Sequence, residues 1–248
     1  MRLTPGGRRC ADVSSIDLGR HRLRPFADRH EAGRLLARQL PGFSRRDDAI
    51  VLALPRGGVP VAAEVSAALG LPLDVFVVRK IGAPGDEELA LGAIASGGIT
   101  RLDPEMLAMA GVTPGQLDEV ISRERAELLR REQAYRGDRP EPDLEGWTVI
   151  LVDDGLATGS TMLAAIQAVR TRHPAKIVVA VPVASREALA RIRQEHVECH
   201  ALATPELLFA VGAWYHDFTP TTDEEVQHLL SAAGNGRIPD SAPGQGAR

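Results

Sequence analysis

Cysteine, lysine and aromatic residues are all scarce in this chain of 248 residues. Two cysteines are too few for a disulfide framework, which favours a reducing, cytoplasmic location. The first nine residues lack the apolar core of a signal peptide, which agrees with that expectation. Lys80 and Lys176 are the only lysines, so the basic residues are nearly all arginines. With a net charge of −4, this arginine bias gives no reason to expect nucleic-acid binding.

Long apolar runs and two common nucleotide-binding motifs are also missing. The longest apolar run, residues 177–184, is interrupted by Pro182 and falls short of the roughly 20 residues of a membrane-spanning helix. Neither the P-loop pattern G-x-x-x-x-G-K-[ST] nor a G-x-G-x-x-G after a strand is present. The sequence therefore predicts no membrane partner and excludes the two best-known phosphate-binding loops.

Apolar runs that alternate with helical patterns predict an α/β fold. Buried strands are predicted at residues 49–54, 73–78, 149–152, 176–183 and 197–203, and helices at 26–40, 59–69, 104–110, 113–135, 162–170, 185–194 and 223–232. This alternation indicates a mainly parallel central sheet of about five strands flanked by helices. Residues 90–95 and 99–102 flank a Ser-Gly-Gly turn and predict a hairpin. The polar segment 79–88, with its Gly and Pro residues, is expected to be a mobile loop.

The most informative stretch is residues 149–161, Val-Ile-Leu-Val-Asp-Asp-Gly-Leu-Ala-Thr-Gly-Ser-Thr. Asp153 and Asp154 end a buried strand, and residues 158–161 begin a helix, whose unpaired N–H groups suit a phosphate. Gly159 lets the backbone approach the ligand, and the neighbouring hydroxyls add donors. The carboxylates suit ligand hydroxyls or a hydrated Mg2+. The ligand indicated is a ribose 5-phosphate; helix capping alone is the alternative.

A second strand is followed by a similar loop, Pro-Arg-Gly-Gly at residues 55–58. Its two glycines expose N–H groups where a helix begins, and Arg56 can bind phosphate oxygens through two donors. This pattern indicates a second phosphate-binding loop; an ordinary turn is the alternative.

Residues 149–161 resemble the motif that binds 5-phosphoribosyl-1-pyrophosphate (PRPP) in type I phosphoribosyltransferases. In that family the acidic pair holds the ribose 2- and 3-hydroxyls and the loop after it holds the 5-phosphate. The resemblance implies that Asp153 and Asp154 bind the diol and, directly or through water, Mg2+. It also implies that the 5-phosphate is bound by Ala157, Thr158, Gly159, Ser160 and Thr161.

Three other segments resemble parts of the same family. Residues Arg56, Gly57 and Gly58 resemble its pyrophosphate loop. Arg79 and Lys80 begin the segment that matches its flexible catalytic loop, which implies that these cations close over pyrophosphate; solvated charges at a strand end are the alternative. Trp214 and Tyr215 follow the last predicted strand, where this fold can place the acceptor pocket. Stacking on a planar base and packing against the core are both open for them.

The resemblance extends over about residues 26–231, to a bacterial group of phosphoribosyltransferase-like proteins. The shared segments are residues 26–33, 54–58, 78–80, 91–93, 149–161 and 223–226. One position departs from the hypoxanthine–guanine enzymes, which carry an Asp where this chain has Ala157. In this respect the motif is similar to that of adenine or orotate enzymes, whose hood sequences are nevertheless missing here. Salvage of the hypoxanthine–guanine type is therefore not expected.

These observations predict one phosphoribosyltransferase-like domain at residues 25–233, with hood parts from 25–45, 86–140 and 204–233. Residues 1–24 would form an arm, and 234–248 a disordered tail. The resemblance implies Mg2+-dependent transfer of a phosphoribosyl group from PRPP to a small acceptor, such as a nucleobase-like nitrogen heterocycle, within nucleotide metabolism. It also implies a homodimer, because relatives are often dimers. A non-catalytic module that senses PRPP or a nucleotide, and hydrolysis of a phosphorylated sugar, are the alternatives.

Overall fold

A computed structural model describes residues 25–137 and 139–233 of the chain. Its strands are β1 (Ala49–Ala53), β2 (Leu73–Val75), β3 (Val78–Ala83), β4 (Asp86–Ala95), β5 (Ile99–Leu102), β6 (Thr148–Val152), β7 (Lys176–Val183) and β8 (Glu198–Ala203). Its α-helices are α1 (Arg29–Ala37), α2 (Gly58–Leu69), α3 (Pro104–Ala110), α4 (Pro114–Arg136), α5 (Ser160–Arg170), α6 (Arg186–Gln194) and α7 (Asp223–Ala232). The predicted arm and tail, residues 1–24 and 234–248, lie outside the described residues.

The larger sheet is parallel throughout and has the strand order β2-β1-β6-β7-β8. This confirms the prediction of a mainly parallel sheet of about five strands. Neighbouring strands β1 and β6 end together, because Ala53 pairs with Val152. The segments that follow the two strands therefore leave the sheet side by side, at the edge where ligands bind in open α/β sheets.

Helices cover both faces of the parallel sheet. Val51 and Ala53 of β1 face a core shared with α1, α2, α4 and α7, whereas Ile50 and Leu52 face a second core shared with α5 and α6. Each fully buried Val, Leu or Ile side chain contributes about 1.5–3 kcal/mol. Burial on both faces explains why the strands are uninterrupted apolar runs. None of the helices among the described residues is long and apolar enough to cross a membrane.

The smaller sheet is antiparallel and contains β3, β4 and β5 in that order. The pairing of β4 with β5 confirms the predicted hairpin. Ile81 and Leu91 belong to the core that α4 shares, whereas Ala95 and Val78 pack into the core that contains α5. The sheet is thus held between α4 and α5, beside the edge at which β1 and β6 end.

Two predictions for this region were wrong. Residues 73–78 were expected to form one strand, but β2 ends at Val75 and the chain enters the second sheet at Val78. Residues 79–88 were expected to be a loop, but most of them lie in β3 and β4, and only a tight turn at residues 84–85 is irregular. Ile81 and Ala83 are buried on the same face of β3. This alternation of buried residues is short, and the charged residues of the segment give it the composition of a loop.

Candidate functional site

The loops that follow β1 and β6 are in direct contact. A Cβ atom added to Gly57 would lie 2.0 Å from Oδ2 of Asp154, and one added to Gly58 would lie 2.9 Å from Cα of Asp153. No real Cβ approaches another heavy atom that closely, so only glycine fits at either position without a shift. The glycines therefore allow the loop after β1 to pack directly against the acidic pair. The Pro55–Arg56 peptide bond in this loop is cis.

Each aspartate of the pair commits one carboxylate oxygen to the protein. Oδ1 of Asp153 accepts the backbone N–H of Asp154 at 2.8 Å. Oδ2 of Asp154 accepts a hydrogen bond from Nε of Arg29 at 2.9 Å and forms an ion pair with Nη2 at the same distance. Among the described residues, none donates a hydrogen bond to the second oxygen of either carboxylate. Two carboxylate oxygens thus remain for a ligand, one on each aspartate.

The environment of the pair favours a ligand that brings hydroxyl groups or positive charge. Burial raises the pKa of Asp153 well above its ordinary value, and the charge of Asp154 raises it further. Burial also raises the pKa of Asp154, while Arg29 partly offsets this effect. Within the described ranges, no group of three or more His, Cys, Asp or Glu residues is placed to hold a metal ion. The pair therefore fits Mg2+ only with few protein ligands and the rest from water and substrate, which is the usual manner of Mg2+.

The segment between the acidic pair and α5 contains the residues predicted to bind the 5-phosphate. Gly159 caps α5 in the left-handed conformation, with φ of 76°. The carbonyl of Ala157 accepts Ser185 Oγ at 2.7 Å, and that of Thr158 accepts Arg191 Nη1 at 3.0 Å. These two carbonyl oxygens are thereby engaged by groups at the start of α6 and within it. Thr158, Ser160 and Thr161 are exposed, but Oγ of Thr158 lies 3.3 Å from that of Ser160 and accepts the Ser160 N–H at 3.4 Å, so an oxyanion would have to replace these long local contacts.

The predicted pyrophosphate ligands are placed differently from one another. Arg56 is about half exposed, and its Nη1 lies 3.6 Å from Oδ1 of Asp223 in α7. Arg79 and Lys80 are adjacent in β3, so their side chains point to opposite faces of the sheet. Arg79 donates Nε and Nη2 to Oε2 of Glu124 in α4, at 2.9 and 2.6 Å.

Lys80, on the opposite face of β3, lines a cavity of about 730 Å³ between the small sheet and α5. Ser160 and Thr161, at the start of α5, line the same cavity. The structure therefore brings Lys80, but not Arg79, towards the loop predicted to hold the 5-phosphate.

The aromatic segment after β8 packs beneath the acidic pair. Tyr215 is only 6% exposed, and its hydroxyl donates to the carbonyl oxygen of Asp154 at 2.6 Å. Its ring stacks on Phe218, with centroids 5.1 Å apart, and contacts Phe26 at 5.5 Å. Packing, one of the two interpretations left open by the sequence, is thus what the structure shows for Tyr215. Trp214 is partly buried beside it.

Sequence reasoning missed Arg29 as a member of this site. Its partner Asp154 is distant in the chain, so no spacing rule connects the two. A signal was nevertheless present: Arg29 is the first residue of α1, where a cation opposes the helix dipole. A cation at such a position points to a specific partner elsewhere in the fold.

This chain is similar in sequence to one protein family and in fold to a solved structure. Residues 30–212 match the family model described as "Phosphoribosyl transferase domain". The crystal structure of TT1426 from Thermus thermophilus is 46% identical, with a TM-score of 0.73 over 83% of this chain and 97% of that one.

Curated relatives carry a corresponding name. Two strains of Mycobacterium tuberculosis, H37Rv and CDC 1551, each have a protein named "Putative phosphoribosyl transferase" that is 43% identical over 208 residues. The match covers 84% of this chain but 47% of the relative, so this chain spans about half the length of those proteins.

Proposed function

This chain belongs to the type I phosphoribosyltransferase family, and on that premise we propose that it transfers a phosphoribosyl group from PRPP to a small acceptor, with release of pyrophosphate. The acceptor we propose is a nitrogen of a planar, nucleobase-like heterocycle. One observation carries the proposal: the glycine loop after β1 packs against an aspartate pair in the segment that leads to α5, and among the described residues one oxygen of each carboxylate has no donor. A ligand with a phosphate, a diol and a second phosphate group matches that order of donors and acceptors.

Each part of PRPP would be bound by a different group of the site. The oxygens left on Asp153 and Asp154 would accept the ribose 2- and 3-hydroxyl protons. The 5-phosphate would lie on the N–H groups and hydroxyls of residues 157–161. The loop at Arg56, Gly57 and Gly58 would bind the pyrophosphate through the guanidinium of Arg56 and the backbone N–H of Gly57, since the N–H of Gly58 already donates to the carbonyl oxygen of Leu54 at 3.1 Å. These contacts fix the ribose C1 in one orientation before any bond breaks.

Charge development at C1 explains why acids and cations flank the ribose. As the bond from C1 to the pyrophosphate oxygen breaks, positive charge builds on the ribose and negative charge on the leaving group. The carboxylates of the acidic pair lie on the ribose side and stabilise the positive charge, while Arg56 stabilises the pyrophosphate. The acceptor nitrogen supplies the electron pair of the new C1–N bond and loses its proton to water. Mg2+, when bound beside the acidic pair, supplies further neutralisation of the pyrophosphate charge.

Arg79 has a conditional role in this proposal. Its guanidinium is held by Glu124 on the side of β3 that faces α4, so it would have to leave that carboxylate before it could bind pyrophosphate. Lys80 already lines the cavity that Ser160 and Thr161 share. That cavity borders the loop proposed for the 5-phosphate, so we assign leaving-group stabilisation to Arg56 of the pyrophosphate loop in the first place.

An assay of pyrophosphate release tests the proposal. The protein is incubated with PRPP, Mg2+ and each member of a panel of nitrogen heterocycles, and pyrophosphate is measured with and without the heterocycle. We expect release that depends on one acceptor class and is lost in the Asp153→Asn/Asp154→Asn variant. The matched control is Asp47→Asn/Asp48→Asn, an exposed aspartate pair at the opposite edge of the sheet, before β1. PRPP binding without turnover by any acceptor would instead favour a sensor, and steady release without acceptor would favour a hydrolase.

A further inference from the structure

Arg29 has every nitrogen of its guanidinium committed to a contact. Nε and Nη2 both lie 2.9 Å from Oδ2 of Asp154, and Nη1 donates to the carbonyl oxygen of Thr219 at 2.9 Å. The guanidinium carbon also stacks 3.9 Å from the ring centroid of Phe218. The side chain is only 10% exposed. The orientation of the guanidinium is therefore fixed from several sides.

These contacts join three segments that are distant in the chain. Arg29 begins α1, Asp154 follows β6, and residues 215–219 precede α7. Two of the segments hold Asp154 itself: Arg29 binds its carboxylate, and Tyr215 donates to its backbone oxygen at 2.6 Å. Gly57 packs against Oδ2 so closely that a Cβ atom added to it would lie 2.0 Å from that oxygen. Oδ2 is thus enclosed between the guanidinium and the glycine loop.

Enclosing one oxygen determines where the other oxygen points. With Oδ2 held between Arg29 and Gly57, the carboxylate of Asp154 cannot rotate, and Oδ1 is the atom left for a ligand. An Arg29–Asp154 ion pair that served stability alone would not need both Nε and Nη2 on the same oxygen, nor contact between that oxygen and Gly57.

We propose that Arg29 is a positioning residue of the PRPP site: it orients Asp154 Oδ1 towards a ribose hydroxyl. This inference rests on the proposed function. It predicts that Arg29 affects PRPP through Asp154 alone, without touching the ligand.

A double-mutant cycle tests this role, with PRPP affinity measured calorimetrically in the presence of Mg2+. We expect Arg29→Met to weaken PRPP binding by about tenfold or more, the size of one charge-assisted hydrogen bond. Arg29→Lys keeps the charge but not the paired geometry, so it should recover part of the loss. In an Asp154→Asn background, Arg29→Met should have little further effect, because the residue on which it acts has already been altered.

A second buried arginine–aspartate pair provides the matched control. Arg136 and Asp74 are 7% and 1% exposed, and Nε lies 3.0 Å from Oδ2. Arg136→Met should lower the melting temperature as Arg29→Met does, yet leave PRPP affinity within about twofold, since neither residue belongs to the proposed site. If Arg29→Met does not fold, Arg29→Lys and Arg136→Lys give the same comparison.

The outcomes separate this inference from the proposed function. PRPP binding that survives Arg29→Met, that falls equally in Arg136→Met, or that shows additive effects with Asp154→Asn would overturn the role of Arg29 alone. Absence of PRPP binding by the unaltered protein would overturn both.

Discussion

Replacing Gly57 with Ala tests whether the glycine loop must touch the acidic pair. Gly57 has φ of −59° and ψ of −32°, which alanine adopts without strain, so the added methyl group acts only through its volume. That methyl would lie 2.0 Å from Oδ2 and 2.7 Å from Cγ of Asp154, where ordinary contact needs 3.4 Å or more. Either the loop or the carboxylate must move by more than about 1 Å.

The structure limits how that movement can be absorbed. Asp154 cannot simply rotate away, because Arg29 and Tyr215 hold its carboxylate and its backbone oxygen. Overpacking of this kind costs about 1–3 kcal/mol of stability. A displacement of about 1 Å at a reacting centre lowers turnover by about 100-fold. We therefore expect a loss of kcat/KM that is much larger than the loss of stability would suggest.

The assay compares Gly57→Ala with Gly42→Ala in kcat/KM, PRPP affinity and melting temperature. Gly42 has no heavy atom within 4 Å of its added Cβ, so its replacement should be nearly neutral in all three measurements. A Gly57→Ala protein that keeps PRPP affinity and kcat/KM within about threefold would refute the claim that this contact shapes the site.

Three further predictions follow from charges and burial. Asp153→Asn should raise the melting temperature at neutral pH while abolishing PRPP binding. The reason is that the pKa of Asp153 is raised in the folded protein. The unaltered protein therefore loses stability as pH rises from the ordinary carboxyl pKa of about 4 through the raised value. The gain should vanish below about pH 4, and a gain that does not change with pH would contradict this cause. Arg136→Met should destabilise the protein by about 3–5 kcal/mol in urea unfolding, because it leaves the buried carboxylate of Asp74 with the N–H of Val75 but without the cation that neutralises it; a cost under about 1 kcal/mol would show that water reaches Asp74. Cys199, whose pKa burial raises to about 11, should resist thiol reagents at neutral pH in a Cys10→Ser background until the protein unfolds, and fast labelling would show that strand β8 opens.

The parallel sheet was predictable because its strands are buried on both faces. Residues 149–152 form a continuous β-branched and apolar run, and the structure extends that strand by only one residue, to Thr148. The same run ends in two aspartates, and Thr-Gly-Ser-Thr follows at residues 158–161. The sequence alone therefore predicted that carboxylates and the start of a helix would follow this strand. Gly57 and Gly58 were predicted to expose backbone N–H groups, which is wrong for Gly58, because its N–H donates to the carbonyl oxygen of Leu54. The tight contact of both glycines with the acidic pair required the structure.

The small sheet and Arg29 were not predictable by the same reasoning. In β3, only Ile81 and Ala83 mark the buried face, and the charges of Arg79 and Lys80 hide the alternation. The two cations were treated together, although neighbouring residues in a strand face opposite sides. Locally, Arg29 is marked only as a cation at the start of α1. Its contact with Asp154 is recognisable once α1 and the segment after β6 are placed together.

The measurement that tests the central claim most directly is calorimetric titration of the protein with PRPP in the presence of Mg2+. We predict binding to one site per chain, loss of that binding in Asp153→Asn/Asp154→Asn, and unchanged binding in Asp47→Asn/Asp48→Asn. Binding of equal strength in the unaltered protein and the first variant would contradict the assignment of the acidic pair to the ribose, and absence of binding in the unaltered protein would contradict the function proposed for the site.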